Sequence, residues 1–407
     1  MSTKSWRTPS IILFCGSMVV LLTMGLRISF GLFLKPMSSE FGWGREIFAL
    51  SMAIQNLLVG VFQPFIGAVA DKWGAGRVVA TGAIVYALGL YVMSVSSSPF
   101  QLYFGAGVLI ALGISAAGLG VVLGVVGRVA PPSKRSMALG IITAAGSVGQ
   151  LLVVPMGQTF LTLFGWSRTF QLYGLITLVM IPLAVALRSQ RNPTKDVHEQ
   201  QLGEALAEAS RHRGFWFLTA GFFVCGFHVT FISVHLPAYL TDGGLAAELG
   251  AYCLSLIGLF NIFGSITSGV LGGKLSKKYL LSCLYLTRSA VFLGFIIVPL
   301  TPWSALTFAS VIGFLWLSTV PLTSGLVAQI FGPRYMTMLF GIVFLSHQVG
   351  SFSGVWLGGY LYDTTGSYMA VWWLSVALGV VAAALHMPID ERAVSRYDLS
   401  TRVGSLD

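Results

Sequence analysis

Arg27 and Arg288 each carry a permanent charge into an apolar run, 10–34 and 279–300 respectively. An ionised group in a bilayer interior costs at least about 2.5 kcal/mol on insertion scales, so it is kept for a pathway or a partner. A guanidinium never loses its charge and forks onto a carboxylate in two parallel hydrogen bonds. No Asp or Glu lies in the interior of an apolar run to neutralise either arginine, so an anion is the expected ligand. Arg27 is its expected anchor, with Gly25 beside it for close helix approach; Arg288 could instead bond the backbone or Asn261.

Imidazoles supply the groups that titrate near neutral pH. His228, His235 and His347 are therefore the candidate proton carriers, with a proton on the substrate itself as the remaining route. His228 lies at the same depth of the seventh run as Arg27 in the first, and the two are expected to face each other. Gln55, Asn261, His347, Gln348 and Tyr239 complete the candidate substrate contacts with Arg27, His228 and Arg288, since uncharged polar residues in apolar spans are either pathway or interhelical glue.

The elements that must position these side chains follow from composition. Of 407 residues 55% are hydrophobic and 9% charged, where a soluble domain carries about 25% charge, which excludes a soluble enzyme. Runs of spanning length occur at 10–34, 46–69, 78–96, 101–127, 137–163 and 169–187. A second set occurs at 215–239, 250–272, 279–300, 303–328, 337–362 and 368–387. Backbone groups in lipid must be satisfied within the segment, so the runs are helices. The fold class expected is an all-α membrane protein, with twelve transmembrane helices in two pseudo-symmetric six-helix bundles.

The bundles are expected at 1–187 and 215–390, with a charged linker at 188–214 and a tail at 391–407. The first run is too long for a cleavable signal and stays in the protein. A net charge of +10 would suggest nucleic acid in a soluble chain, but here topology accounts for it. The termini and even-numbered connections hold 19 Lys and Arg, the odd-numbered connections only Lys35, Arg45 and Arg168. The positive-inside rule places both termini in the cytoplasm. Cys15, Cys225, Cys253 and Cys283 lie in apolar runs as small hydrophobes, and neither a metal spacing nor a G-x-x-x-x-G-K-[ST] loop is present. No cofactor is expected.

One offset of 201 residues superimposes the halves. Gly25, Arg27, Phe30 and Pro36 fall on Gly226, His228, Phe231 and Pro237; Gly140, Gly149, Gly157 and Gly165 fall on Gly341, Gly350, Gly358 and Gly366. Duplicated halves related by an axis along the membrane normal place a substrate near the midplane and alternate access by rocking.

The connection Gly67-Ala-Val-Ala-Asp71-Lys-Trp-Gly74-Ala-Gly-Arg77 resembles the loop signature of the major facilitator superfamily. The resemblance covers essentially the whole chain and implies that Gly67, Asp71, Gly74 and Arg77 form a gating loop that latches the halves. Phe30-Gly31-Leu-Phe33-Leu-Lys-Pro36, Glu40-Phe41-Gly42-Trp43 and the stretch from Lys134-Arg135 to Gly149 are similar to the bacterial monocarboxylate and oxalate/formate branch. That likeness implies a secondary transporter of a small organic anion in the cell (inner) membrane, acting as a monomer, with a proton as candidate co-substrate. The alternative is a proton-driven exporter of drugs or neutral metabolites. Against it, Val154-Pro155-Met156-Gly157-Gln158 lacks the flanking glycines of the exporters' fifth-span motif.

Overall fold

The computed structural model describes residues 7–129, 135–188, 202–332 and 336–394. In the first half the spans are α1 (Pro9–Phe41), α2 (Arg45–Trp73), α3 (Ala75–Ser94), α4 (99–129), α5 (135–164) and α6 (166–186). In the second they are α7 (Arg213–Asp242), α8 (Ala247–Gly272), α9 (Lys277–Ile297), α10 (Pro302–Phe331), α11 (Met336–Thr365) and α12 (Met369–His386). Among the described residues eleven helices are long and apolar enough to cross a membrane, and one of them, Ala138–Ala186, spans most of α5 and all of α6. The helix breaks its sense at Gly165, whose φ of +74° only glycine adopts without strain, and its repeat mate Gly366 turns α11 into α12 at φ +70°.

Starts are set locally. Thr8, Ser98 and Thr301 accept hydrogen bonds from the backbone N–H groups of Ile11, Gln101 and Ser304, each just ahead of a proline in the first turn. Packing repeats the duplication as well. A Cβ at Gly149 would lie 2.1 Å from the carbonyl of Leu21, and one at Gly350 would lie 1.9 Å from that of Phe223. Both are close backbone approaches of α5 on α1 and of α11 on α7, as small residues permit.

Two spans are broken near mid-depth at corresponding positions, α4 at Gly118 and α10 between Leu315 and Thr319. Lipid offers nothing to the backbone groups freed there, so side chains supply it. Thr23 donates to the carbonyl of Ala117 at 3.0 Å. Asn261 accepts from the Leu317 N–H at 3.0 Å, and Arg288 donates to the carbonyls of Leu315, at 2.5 Å, and Trp316.

Of the expected linker, 189–201 lies outside the described residues, while Leu202–Arg211 is a helix that buries Ala205 and Ala209 on one face. The start of the tail is docked: Lys278 donates its Nζ to the carbonyl of Ile389 at 2.8 Å and its backbone N–H to Glu391 at 2.6 Å. Residues 395–407 lie outside the described residues.

The halves meet from mid-depth to the side opposite the termini. Near mid-depth, Gln150 donates to the Leu254 carbonyl at 2.6 Å and Asn261 to the Ser147 hydroxyl at 2.9 Å. Farther out, a Cβ at Gly31 would lie 2.1 Å from the Ser233 carbonyl, so α1 and α7 touch backbone to backbone. Toward the termini the flanking spans part: a Cβ at Gly67, Gly140, Gly269 or Gly341 would meet nothing within 4 Å. The molecule is closed on the far side and open toward its termini.

Candidate functional site

Arg27 closes the first, regular part of α1, immediately before the 3-10 turn Ser29–Phe33. Its guanidinium donates to the side-chain oxygen of Asn56 on α2 and stays partly exposed. Asn56 is fixed in turn, donating to the Met52 carbonyl at 2.7 Å. Across the gap between halves, Gln348 of α11 donates to the backbone carbonyl of Asn56 at 2.6 Å. That orients the Gln348 amide, so its oxygen faces His347 Nδ1 at 3.0 Å. Arg27, Asn56, Gln348 and His347 therefore form one polar line that joins the two halves near mid-depth. It ends in a charge that, among the described residues, hydrogen-bonds to the neutral amide of Asn56.

One expected pairing is corrected, and the other candidates have partners of their own. His228 does not face Arg27: it is 1% exposed, bonded through Nε2 to the Ser375 carbonyl of α12 at 2.9 Å and packed edge-on to Phe292. The mate of Asn56 is Ile257, so the second half offers no polar partner on α8, and the imidazole turns into its own bundle. Gln55 points to α4, donating to the Ala106 carbonyl at 2.8 Å. Arg288, also 1% exposed, is taken up by the carbonyls of the α10 break. Asn261 joins that break to the α5–α8 seam, and Tyr239 packs among Phe295, Tyr368 and Trp372.

His235 belongs to a latch on the far side. Arg45, at the start of α2, grips Asp242 of α7 in a fork of 2.5 and 2.8 Å and donates to the Tyr368 hydroxyl at 2.9 Å. Lys35 reaches Asp242 at 3.1 Å. Asp363 of α11 accepts the backbone N–H groups of Arg45 and Glu46 at 2.9 and 2.8 Å, capping a helix of the other half. The Tyr368 hydroxyl lies 3.2 Å from His235 Nδ1, while His235 Nε2 lies 2.8 Å from the Val355 carbonyl. Burial pushes the Tyr368 phenol up, so it remains a donor to Nδ1.

Sequence reasoning did not single out this latch. The signal was there, since two of the three basic residues on odd-numbered connections, Lys35 and Arg45, are the ones that hold Asp242. Of the loop between α2 and α3, Gly74 makes the turn at φ +93° and Arg77 is exposed in the first turn of α3. The Asp71 side chain and residues 130–134 lie outside the described residues. Glu40-Phe41-Gly42-Trp43 closes α1: Gly42 turns at φ +64°, Phe41 stacks on Trp43, and Glu40 accepts from the Trp166 indole N–H.

The model of the Major Facilitator Superfamily matches residues 13–355. The chain belongs to this superfamily. An uncharacterised MFS-type transporter of Bacillus subtilis (strain 168), YcxA, is 27% identical over 382 residues, covering 89% of this chain and 90% of that protein. Monocarboxylate transporter 13 of Bos taurus is 26% identical over 358 residues, 86% of this chain and 82% of that one. The crystal structure of a bacterial homologue of the human lysosomal transporter Spinster, in an inward-facing and occupied conformation, superimposes with a TM-score of 0.73 at 14% identity, over 94% of this chain and 97% of that one. The protein is thus a multi-pass membrane transporter of this superfamily and not an enzyme.

Proposed function

We propose that this transporter carries a small organic anion of the monocarboxylate class across the cell (inner) membrane by secondary active transport, with a proton as co-substrate. The observation that carries the reading is Arg27: a partly exposed arginine at mid-membrane whose guanidinium is contacted by the neutral amide of Asn56, which Gln348 of the second half reaches in turn. With neutral Asn56 as its hydrogen-bond partner among the described residues, such a charge draws in a counter-ion, and a carboxylate matches its fork. The name of the bovine relative, a monocarboxylate transporter, points the same way.

The excess of Lys and Arg on termini and even connections supports cytoplasmic termini, so the open side is inward and the Arg45–Asp242 latch is the outer gate. Rocking of the halves would break that latch and expose the Arg27 line to the other side, with the protein acting as a monomer. A thermal-shift screen of the purified protein tests the class of cargo. A carboxylate at about 100 times its Kd stabilises the folded form by about 2.7 kcal/mol, and lactate, pyruvate and oxalate are expected to raise the melting temperature where amino acids and cationic drugs do not. Stabilisation by cations alone would instead support the exporter reading.

A further inference from the structure

On the far side the two seams between the halves are built differently, and the repeat shows where. On the α2–α11 seam Asp363 accepts the backbone N–H groups of Arg45 and Glu46, and a Cβ at Gly359 would lie 2.7 Å from the Cα of Glu46, so the helices touch. The offset of 201 residues carries Arg45, Glu46, Gly359 and Asp363 onto Ala246, Ala247, Gln158 and Thr162 of the α5–α8 side. That seam is tight at mid-depth, where a Cβ at Gly258 would lie 2.9 Å from the Gln150 side chain. Farther out Gln158 stands where the other seam has glycine, and the helices leave a cavity of about 270 Å³. Both halves line it: Lys35 and Pro36 of α1, Gln158 and Leu161 of α5, Pro237 of α7 and Ala247 of α8.

Three observations fit this notch to one kind of ligand. No side chain caps α8, and the N–H groups of Ala246 and Ala247 have no hydrogen-bond partner among the described residues, whereas their mates on α2 hold the Asp363 carboxylate. Thr162, the mate of Asp363, turns back on its own helix and donates to the Gln158 carbonyl at 3.0 Å. A helix start with free N–H groups attracts an anion. Beside it, Asp242 faces two cations, Arg45 and Lys35, so one positive charge is left over, and Lys35 is the more exposed of the two. Gln158 is 8% exposed; its amide nitrogen donates to Thr162 at 3.3 Å, while its amide oxygen accepts no hydrogen bond among the described residues. Such a buried acceptor calls for a donor. The volume lies below the roughly 300–1,000 Å³ of drug-sized sites, which limits the ligand to a few heavy atoms.

We propose that this notch binds a small 2-hydroxycarboxylate of the size of lactate from the far side. Its carboxylate lies on the N–H groups of Ala246 and Ala247 beside the Lys35 ammonium, and its hydroxyl donates to the Gln158 amide oxygen. The ligand does for α8 what Asp363 does for α2: it joins the halves and holds the far side shut, so that carboxylate on that side slows opening toward it. The slowing rests on the alternating access proposed above, whereas the binding does not.

The test is double electron–electron resonance on full-length protein in phosphatidylcholine nanodiscs, with Cys15 and Cys283 replaced by alanine and spin labels placed through Leu163→Cys on α5 and Glu248→Cys on α8. The Arg27→Gln background removes the central anchor, so lactate reports the notch. Lactate is expected to shorten and narrow the α5–α8 distance distribution. Thr162→Asp, which supplies the carboxylate that α5 lacks, is expected to give the narrow distribution without lactate and no further change with it. With Arg27 intact, Gln158→Leu is expected to raise the lactate concentration needed for narrowing about tenfold. A distribution in Arg27→Gln that lactate leaves unchanged overturns the proposal, as does a Thr162→Asp variant that responds like its parent. Narrowing by inorganic phosphate or by added phosphatidylglycerol in place of lactate overturns it too, since the ligand would then be a phosphate. Narrowing by lactate in a protein that takes up no carboxylate would sink the proposed cargo and leave the notch as a carboxylate site.

Discussion

At Arg27 the amide of Asn56 satisfies one guanidinium nitrogen and leaves the positive charge unbalanced, the condition an entering carboxylate relieves. Hydrogen bonds to charged groups contribute about 1.5–3 kcal/mol, so replacing Asn56 by Leu, which frees Arg27 to swing away and also gives up the side-chain bond to the Met52 carbonyl, is expected to weaken carboxylate binding about tenfold. Isothermal titration with lactate checks this; an unchanged Kd would show that Asn56 does not orient the guanidinium. Arg27 was legible because a charge inside an apolar run is conspicuous. The pairing with His228 was not, because the offset of 201 residues reports depth and leaves partners to the neighbouring spans. On α2 the partner is Asn56, the corresponding position of α8 is the apolar Ile257, and the imidazole bonds the Ser375 carbonyl instead. Cys225 was read as a small hydrophobe because nothing in its own run shows that Arg288, 63 residues later, closes on its sulfur.

Among the elements, the spans and their duplication were legible because lipid enforces helices and because glycine marks the turns and close approaches of both halves. Gly165 and Gly366 share a left-handed turn, and Gly149 and Gly350 share a backbone contact. The breaks in α4 and α10 were hidden, since neither Gly118 nor the stretch Trp316–Ser318 departs from the apolar composition around it. What reveals them is their repair. Thr23 serves the first break; Asn261 and Arg288 serve the second. Two residues expected to touch substrate are thereby accounted for by the peptide groups of a broken helix, and Gln55 likewise by α4. The docking of the chain after α12 on the start of α9 also escaped sequence reasoning, because Glu391 reads as an ordinary tail charge until its hydrogen bond to the Lys278 N–H is seen.

For the whole molecule, contacts between halves from mid-depth outward and separation toward the termini are one end of the alternating cycle proposed above. The Arg45–Asp242 fork, the Lys35 contact and the Asp363 cap are the bonds that must break to reach the other end. Asp242→Asn removes the counter-charge of two cations and is expected to shift the equilibrium by about tenfold, about 1.4 kcal/mol, toward opening on the far side. Double electron–electron resonance between spin labels on the far-side ends of α1 and α7 reads this as a growing long-distance population, and an unaltered distribution would mean that the latch does not bias the state. The anchoring of the anion by Arg27 is tested most directly by lactate uptake into proteoliposomes bearing the wild-type protein or Arg27→Gln under an inward proton gradient. The expected result is uptake by the wild type and its loss in the variant at equal protein incorporation. Wild-type uptake matched by Arg27→Gln with the same KM would contradict the claim that this guanidinium anchors the anion.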